Sequence, residues 1–135
     1  CLLNFVSAHS AGLYLGVETY EEYLDMRSSQ VTGRHIQDPF NDYSVPAVLD
    51  YFNKSIPGDC IKNPDYVLGY SIGYLTVEAM NAMSGADSAM HMYSVMGSGK
   101  DFEEAFEMTY DLSWNDAKPI FAEYVSMVIA SLFNS

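Results

Sequence analysis

Basic residues are scarce in this sequence. Only 6 of the 135 residues are Lys or Arg, against 18 Asp and Glu, and the formal net charge is -12. A surface with this charge repels phosphate backbones and anionic lipid headgroups, so we expect no nucleic-acid partner and no binding to an acidic membrane surface. Solubility is the simplest explanation of the excess of acidic side chains.

Long hydrophobic runs and strand patterns are also missing. No apolar run reaches the roughly 18 residues that a membrane-spanning helix needs, so we expect no transmembrane segment. Strand-like alternation and hairpin dipeptides between strands are not found either. Hydrophobic residues nevertheless make up 49% of the chain and aromatic residues 14%, which is enough for a buried core. These features together predict an all-α fold.

Cysteine and histidine are too few and too widely spaced for the common zinc sites. Cys1 and Cys60 match no zinc-binding or redox-pair spacing, and they are either one disulfide in an oxidising compartment or two buried thiols. A zinc peptidase places two histidines four residues apart on one helix, but His9, His35 and His91 are far from one another. We therefore expect no metal and no cofactor in this chain.

The chain begins at Cys1 rather than at Met. This beginning indicates a processed chain or a piece of a longer protein, and a mature bacterial lipoprotein also begins with Cys. We expect residues 1–135 to form one helical domain that is part of a longer chain.

Helix-start signals recur along the sequence. A Ser, Thr or Asp is followed three residues later by an acidic residue in the pairs Thr19 with Glu22, Asp101 with Glu104, and Ser113 with Asp116. Such pairs are typical of helix N-termini, because the first side chain accepts a hydrogen bond from the backbone. We predict a compact bundle of about six or seven helices with short loops.

The longest helix is predicted between Asp65, as its cap, and Gly85, which ends it. The next helix is predicted over 86–96. Polar, proline-containing segments predict loops over 33–43 and 54–64.

Two short patterns suggest a ligand site but have simpler explanations. His91 lies between Met90 and Met92, which suggests a soft metal, yet methionines in a helix are more often core residues. The segment from Gly97 to Lys100 lacks the spacing of a phosphate-binding loop, and it is better explained as a connection between helices.

The second half of the chain resembles the C-terminal helical part of gluzincin-type zinc metallopeptidases (peptidase MA clan), the group that includes the aminopeptidases. The resemblance covers roughly residues 66 to 126. It is carried by Tyr70, Ser71, Ile72, Gly73, Leu75, Glu78, Gly85, Gly99, Asp101, Phe102, Glu103, Glu104, Ala105, Phe106, Leu112, Ser113, Phe121 and Tyr124.

The first segment is similar to the stretch around the third zinc ligand of secreted relatives in that group. Cys1, Gly12, Gly16 and the segment 20–27 follow its outline, but Phe5 stands where the zinc-binding glutamate would be. The HExxH helix would lie before the start of this chain. The resemblance thus implies a chain that lacks the metal ligands, and it implies export to an extracellular compartment with a Cys1–Cys60 disulfide.

The resemblance gives Tyr70 a role. The tyrosine of the Tyr-x-x-Gly motif in aminopeptidases stabilises the oxyanion of the tetrahedral intermediate, and a phenol can donate that hydrogen bond. Without zinc, however, nothing in this chain activates water. Three hypotheses follow. The first is a non-catalytic wall of a peptidase groove, which belongs to an active peptidase only if an upstream HExxH segment exists. The second is an independent helical module, either structural or binding a peptide or protein, and the third is an acidic metal-independent enzyme.

Overall fold

The computed structural model describes residues 19–32, 43–55, 66–85 and 87–133. Within these ranges the chain forms only helices, and no strand is found there. The six helices are α1 (Tyr20–Thr32), α2 (Val45–Ser55), α3 (Tyr66–Ser84), α4 (Ser88–Gly97), α5 (Phe102–Tyr110) and α6 (Trp114–Phe133). The predicted all-α fold is therefore confirmed.

The helix α3 lies at the centre of the packing. It contacts α1, α4, α5 and α6, while α6 also packs along α2. The connections from α3 to α4, from α4 to α5 and from α5 to α6 are only three or four residues long, and such short connections place consecutive helices side by side. The helix contacts form the compact bundle that the sequence predicts.

The predicted N-terminal caps are present at three helices. The capping side chain accepts a backbone N–H at 2.8–3.1 Å in each of the pairs Thr19 with Glu22, Asp101 with Glu104, and Ser113 with Asp116. Each bond satisfies one of the backbone donors that a helix start leaves without an intrahelical partner. Local sequence thus determines where α1, α5 and α6 begin.

The boundaries around α4 depend on glycine and on a contact from another helix. Gly85 and Gly99 have φ angles of 105° and 110°, a conformation that glycine adopts without steric cost. The helix α4 begins at Ser88, two residues later than predicted, and Asp87 makes no side-chain cap bond. Instead, the Asn81 side chain of α3 accepts the Ala89 N–H at 3.2 Å.

The C-terminus of α2 shows a smaller difference from the predicted boundary. The helix α2 continues to Ser55, so the loop predicted from residue 54 begins later than expected. Lys54 pairs with Asp50 one turn earlier at 2.7 Å, a spacing that favours continued helix.

Five large rings form the centre of the hydrophobic core, and we call them the aromatic cluster. They are Phe52, Phe102, Phe106, Trp114 and Phe121. The Trp114 ring centroid lies 5.1–5.9 Å from those of the other four. Its contacts with Phe52, Phe102 and Phe106 are edge-to-face, an arrangement that adds to the stabilisation from burial. The cluster joins α2, α5 and α6.

The helix α1 contributes differently from the others. All fully buried apolar side chains of the described residues come from α2 to α6, whereas the described side chains of α1 are at most partly buried. Among the described side chains of α1, Met26 packs against the core. The helix therefore covers the bundle from outside.

No helix in the described ranges is both long and apolar enough to cross a bilayer. Cys1, Phe5, Cys60 and most of the two predicted loops lie outside the described residues. The segment 2–16, for which the sequence predicts a short buried helix or a turn, also lies outside them.

Candidate functional site

The carboxylate of Glu78 lies at the centre of a polar contact between three helices. Its Oε1 is 2.9 Å from Arg27 Nη2 of α1 and accepts a hydrogen bond from the Tyr124 hydroxyl of α6. Its Oε2 accepts a hydrogen bond from the Tyr23 hydroxyl of α1. Arg27 Nη2 also lies 3.5 Å from the Tyr124 hydroxyl oxygen. We call these four residues the Glu78 network.

The helical repeat explains how the network is assembled. Tyr23 and Arg27 are four residues apart and therefore lie on the same face of α1. Glu78 is the only charged residue of α3, and Tyr124 lies near the middle of α6. Since α1 packs against both α3 and α6, its two polar side chains reach the carboxylate.

The network is largely shielded from water. The side chains of Arg27 and Glu78 are 16% and 11% exposed. A carboxylate at this depth is costly unless donors surround it, and here one guanidinium and two phenols supply them. The network therefore compensates the burial of Glu78 with contacts from two other helices.

The phenols of the site are held in their protonated form. Burial, followed by the hydrogen bond to Glu78, raises the pKa of Tyr23 well above its usual range. The same two causes, in the same order, raise the pKa of Tyr124 to about 12. Burial and the nearby charge of Glu78 raise the pKa of Tyr74, one turn earlier on α3, to about 12.

Arg27 stays charged in this environment. Burial alone would lower the pKa of its guanidinium, but the charge of Glu78 and the contacts with Tyr124 outweigh that effect and raise it. The site is therefore a carboxylate–guanidinium pair between two hydrogen-bond donors. With its oxygens bonded to three donors, Glu78 is arranged to join helices rather than to activate a water molecule.

Tyr70 lies on the same helix as Glu78. The predicted helix around Tyr70 is confirmed, because α3 covers residues 66 to 84. The two positions are eight residues apart, which is about 12 Å along the helix axis. The Tyr70 side chain lies outside the described side chains, as do Cys1, Cys60 and the zinc-ligand position Phe5.

A second polar region lies where α3 turns into α4. An open depression of about 370 Å³ is lined by Ser84, Gly85, Asp87, Ser88, His91 and Thr109. The Ser88 hydroxyl is buried and lies 3.1–3.3 Å from Met80 O, Asn81 Oδ1 and the Tyr110 hydroxyl. These contacts assign Ser88 to packing between α3, α4 and α5 rather than to nucleophilic chemistry.

The methionine-rich helix α4 divides between core and surface. Met92 is fully buried, as expected of a core methionine, whereas Met90 is 47% exposed. His91 beside it is exposed. In the described part of the chain, no group of three or more His, Cys, Asp or Glu side chains is placed to hold a metal ion.

The Glu78 network is not predicted by any sequence motif, although two signals for it are present. One is a single charged residue in the otherwise uncharged, 19-residue α3, and the other is a single basic residue in α1. A lone charge on a buried helix needs a partner. The partners could not be paired from sequence, because Tyr23 and Tyr124 are 55 and 46 positions away from Glu78.

No protein-family model matches the chain, and no curated protein or solved structure matches it at a significant level. Function therefore has to be inferred from the residues and their geometry.

Proposed function

We propose that this chain forms a non-catalytic helical wall of a peptide-binding groove, as in the C-terminal part of gluzincin-type metallopeptidases, with Tyr70 at the groove. The supporting observation is the course of α3. This helix carries the Tyr70–Gly73 motif near its start and ends at Gly85. It is followed by α5, which starts after the Asp101 cap, and by the closing helix α6.

The geometry also favours a wall over a catalytic centre. The carboxylate on the Tyr70 helix is Glu78, and its oxygens are engaged by Arg27, Tyr23 and Tyr124. A general base for peptide hydrolysis needs a carboxylate that contacts water. Glu78 instead fixes the helix on which Tyr70 is placed.

A direct test is peptide binding to this chain. We expect an unstructured peptide to perturb the backbone NMR signals of the first half of α3, and we expect Tyr70→Ala to weaken binding about tenfold or more, as loss of a central aromatic contact does. Tyr20→Ala is the matched control, since Tyr20 is 74% exposed on α1 and should leave binding unchanged. Signal changes confined to other helices would contradict the proposal, provided circular dichroism shows both variants folded.

A second test addresses the catalytic version of the hypothesis. On that version, a polypeptide that joins this chain to an HExxH helix and carries Phe5→Glu as the third zinc ligand should bind one zinc ion and show peptidase activity. Tyr70→Phe should then lower kcat by roughly a hundredfold or more with little change in KM, because the phenol would act only on the oxyanion. Equal kcat values for the variant and the parent would contradict a catalytic role of Tyr70.

Export is part of the same proposal. In an oxidising compartment Cys1 and Cys60 would form one disulfide. Mass spectrometry of the protein from its native compartment, after alkylation without reduction, should show neither cysteine modified. Alkylation of both would contradict the pairing.

An independent binding module is the second candidate, and exposed methionines favour it. Met83, Met90, Met108 and Met127 are 43–64% exposed, and flexible thioethers adapt to varied partners. If this function is correct, polar substitution of Met90 should abolish partner binding while Tyr70→Ala should not.

A further inference from the structure

The position of α1 depends on few apolar contacts. None of its described side chains is fully buried, and all buried residues of the hydrophobic core lie on the other five helices. Hydrophobic burial is the main stabilising contribution to helix packing, and the described side chains of α1, at residues 20–28, receive less of it than those of the neighbouring helices. Polar contacts therefore have a larger share in holding this helix.

Two described side chains of α1 make those polar contacts with Glu78, through the Tyr23 hydroxyl and the Arg27 guanidinium, and the guanidinium supplies the charge. Arg27 is the only basic residue of α1, and its Nη2 makes both contacts, with Glu78 Oε1 at 2.9 Å and with the Tyr124 hydroxyl at 3.5 Å. Its buried Nε has no hydrogen-bond partner in the described part of the structure. Arg27 thus binds through one end of the guanidinium rather than through the two-pronged geometry that this group favours with a carboxylate.

The helices α3 and α6 provide hydrogen-bond acceptors for the Arg27 guanidinium. Glu78 supplies the charge, and the Tyr124 hydroxyl, fixed by its own bond to Glu78, lies beside it on α6. Tyr23 of α1 donates a hydrogen bond to the other oxygen of the same carboxylate. A charge and oriented acceptors at a shielded position are what a planar cation requires.

We propose that Glu78, Tyr124 and Tyr23 form a guanidinium-binding site, that the chain fills this site with its own Arg27, and that α1 stays on α3 and α6 only while the site is filled. The contacts that form this site involve α1, α3 and α6 alone, so the site is independent of the peptidase-like function. The ligand class is a guanidinium cation, whether it belongs to the chain or is added.

The test is hydrogen exchange measured by mass spectrometry on Arg27→Ala. We expect the amides of α1 to exchange at least about tenfold faster than in the parent, since a hydrogen-bonded charge contact is lost. The amides of α3 to α6 should keep their protection. Adding methylguanidinium should restore the slow exchange of α1, and methylammonium at the same concentration should not, because it lacks the planar donor group.

Lys118→Ala is the matched control. Lys118 is another cation that bridges two helices, through a 2.7 Å bond to Asn53, but it does so on the exposed surface. This variant should leave the exchange of α1 unchanged and show no response to methylguanidinium. Arg27→Lys should open α1 partly, since it keeps the charge but not the planar donors.

Three results would overturn the proposal. The first is unchanged α1 exchange in Arg27→Ala. The second is equal loss of protection in α1 and in α3 to α6, which would mean that α1 is no separate unit. The third is a response to methylammonium as large as that to methylguanidinium.

Discussion

The aromatic cluster and the Glu78 network both hold helices together, but they do so by different means. In the aromatic cluster four phenylalanine rings surround Trp114, and even the indole N–H has no hydrogen-bond partner in the described part of the chain. In the Glu78 network one carboxylate accepts hydrogen bonds from three donors on two other helices. One region is apolar and the other depends on matched polar groups.

The difference teaches where each region is vulnerable. Stabilisation in the aromatic cluster is spread over many non-directional contacts, so its loss grows with the volume that is removed. The Glu78 network depends on a balance between one charge and its partners. Removing one partner leaves a shielded charge, whereas removing both charges restores the balance.

The largest expected effect is in the aromatic cluster. Phe106 is fully buried and lies between Phe102, Trp114 and Phe121. We expect Phe106→Ala to lower the free energy of unfolding by about 3–5 kcal/mol, because it removes ring contacts and leaves a cavity. Urea denaturation followed by circular dichroism measures this loss. Met108→Ala on the same helix, at a 64% exposed position, should change stability by less than about 0.5 kcal/mol; similar losses for the two variants would contradict the packing described.

The next largest effect is expected in the Glu78 network, where a second substitution should restore stability instead of lowering it further. We expect Arg27→Met to destabilise the state with α1 in place by about 2–3 kcal/mol, since in that state the Glu78 carboxylate is shielded and has no cation. Adding Glu78→Met should recover much of that loss, because no unpaired charge then remains. Urea curves of the two single variants and the double variant give the coupling. Losses that simply add would show that the charges do not interact.

Alkaline pH should weaken the Glu78 network. The pKa of Tyr124 is raised from 10.0 to about 12 in the folded chain, so its contribution to stability is complete below about pH 10 and is lost as the pH rises through about 12. Tyr124→Phe should make the fall in melting temperature over this range shallower. Part of the fall in melting temperature should remain in this variant, because the pKa values of Tyr74 and Tyr110 are also raised to about 12.

The control for this experiment is Tyr20→Phe, at the exposed tyrosine of α1. It should leave the alkaline slope as in the parent. An unchanged slope in Tyr124→Phe would mean that this phenol does not link ionisation to folding.

The smallest loss of stability is expected for a helix cap that lies outside both regions, and the losses in the two regions can be compared with it. Asp101→Ala removes the cap of α5, whose Oδ1 accepts the Glu104 N–H at 2.8 Å. Such a loss costs about 1 kcal/mol. Asp101→Asn, which keeps the acceptor, should cost only a fraction of that; if both variants lose the same amount, charge rather than capping is responsible.

Much of the fold could be predicted from sequence because the signals are local. The caps at Thr19, Asp101 and Ser113 lie within one turn of the amides that they bond, and Gly85 ends α3 as expected. The start of α4 was predicted wrongly, since the acceptor for the Ala89 N–H comes from Asn81 on the preceding helix. Local pattern does not show such a contact.

The candidate site was harder to predict for the same reason. Tyr23 and Arg27 lie four residues apart, a spacing that places them on one face of a helix. Their partner Glu78 and the fourth member Tyr124 lie on helices far away in the sequence. Which faces of α1, α3 and α6 meet is decided by tertiary packing. The roles of Tyr70, Cys1 and Cys60 stay predictions, because those side chains lie outside the described residues.

Trp114 is the only tryptophan of the chain, and its ring is 2% exposed among rings of α2, α5 and α6. Its fluorescence therefore reports on the aromatic cluster and is insensitive to the detachment of α1. Far-ultraviolet dichroism, in contrast, records every helix. A gap between the two unfolding curves would measure the departure of α1 in the unlabelled protein, without a single substitution.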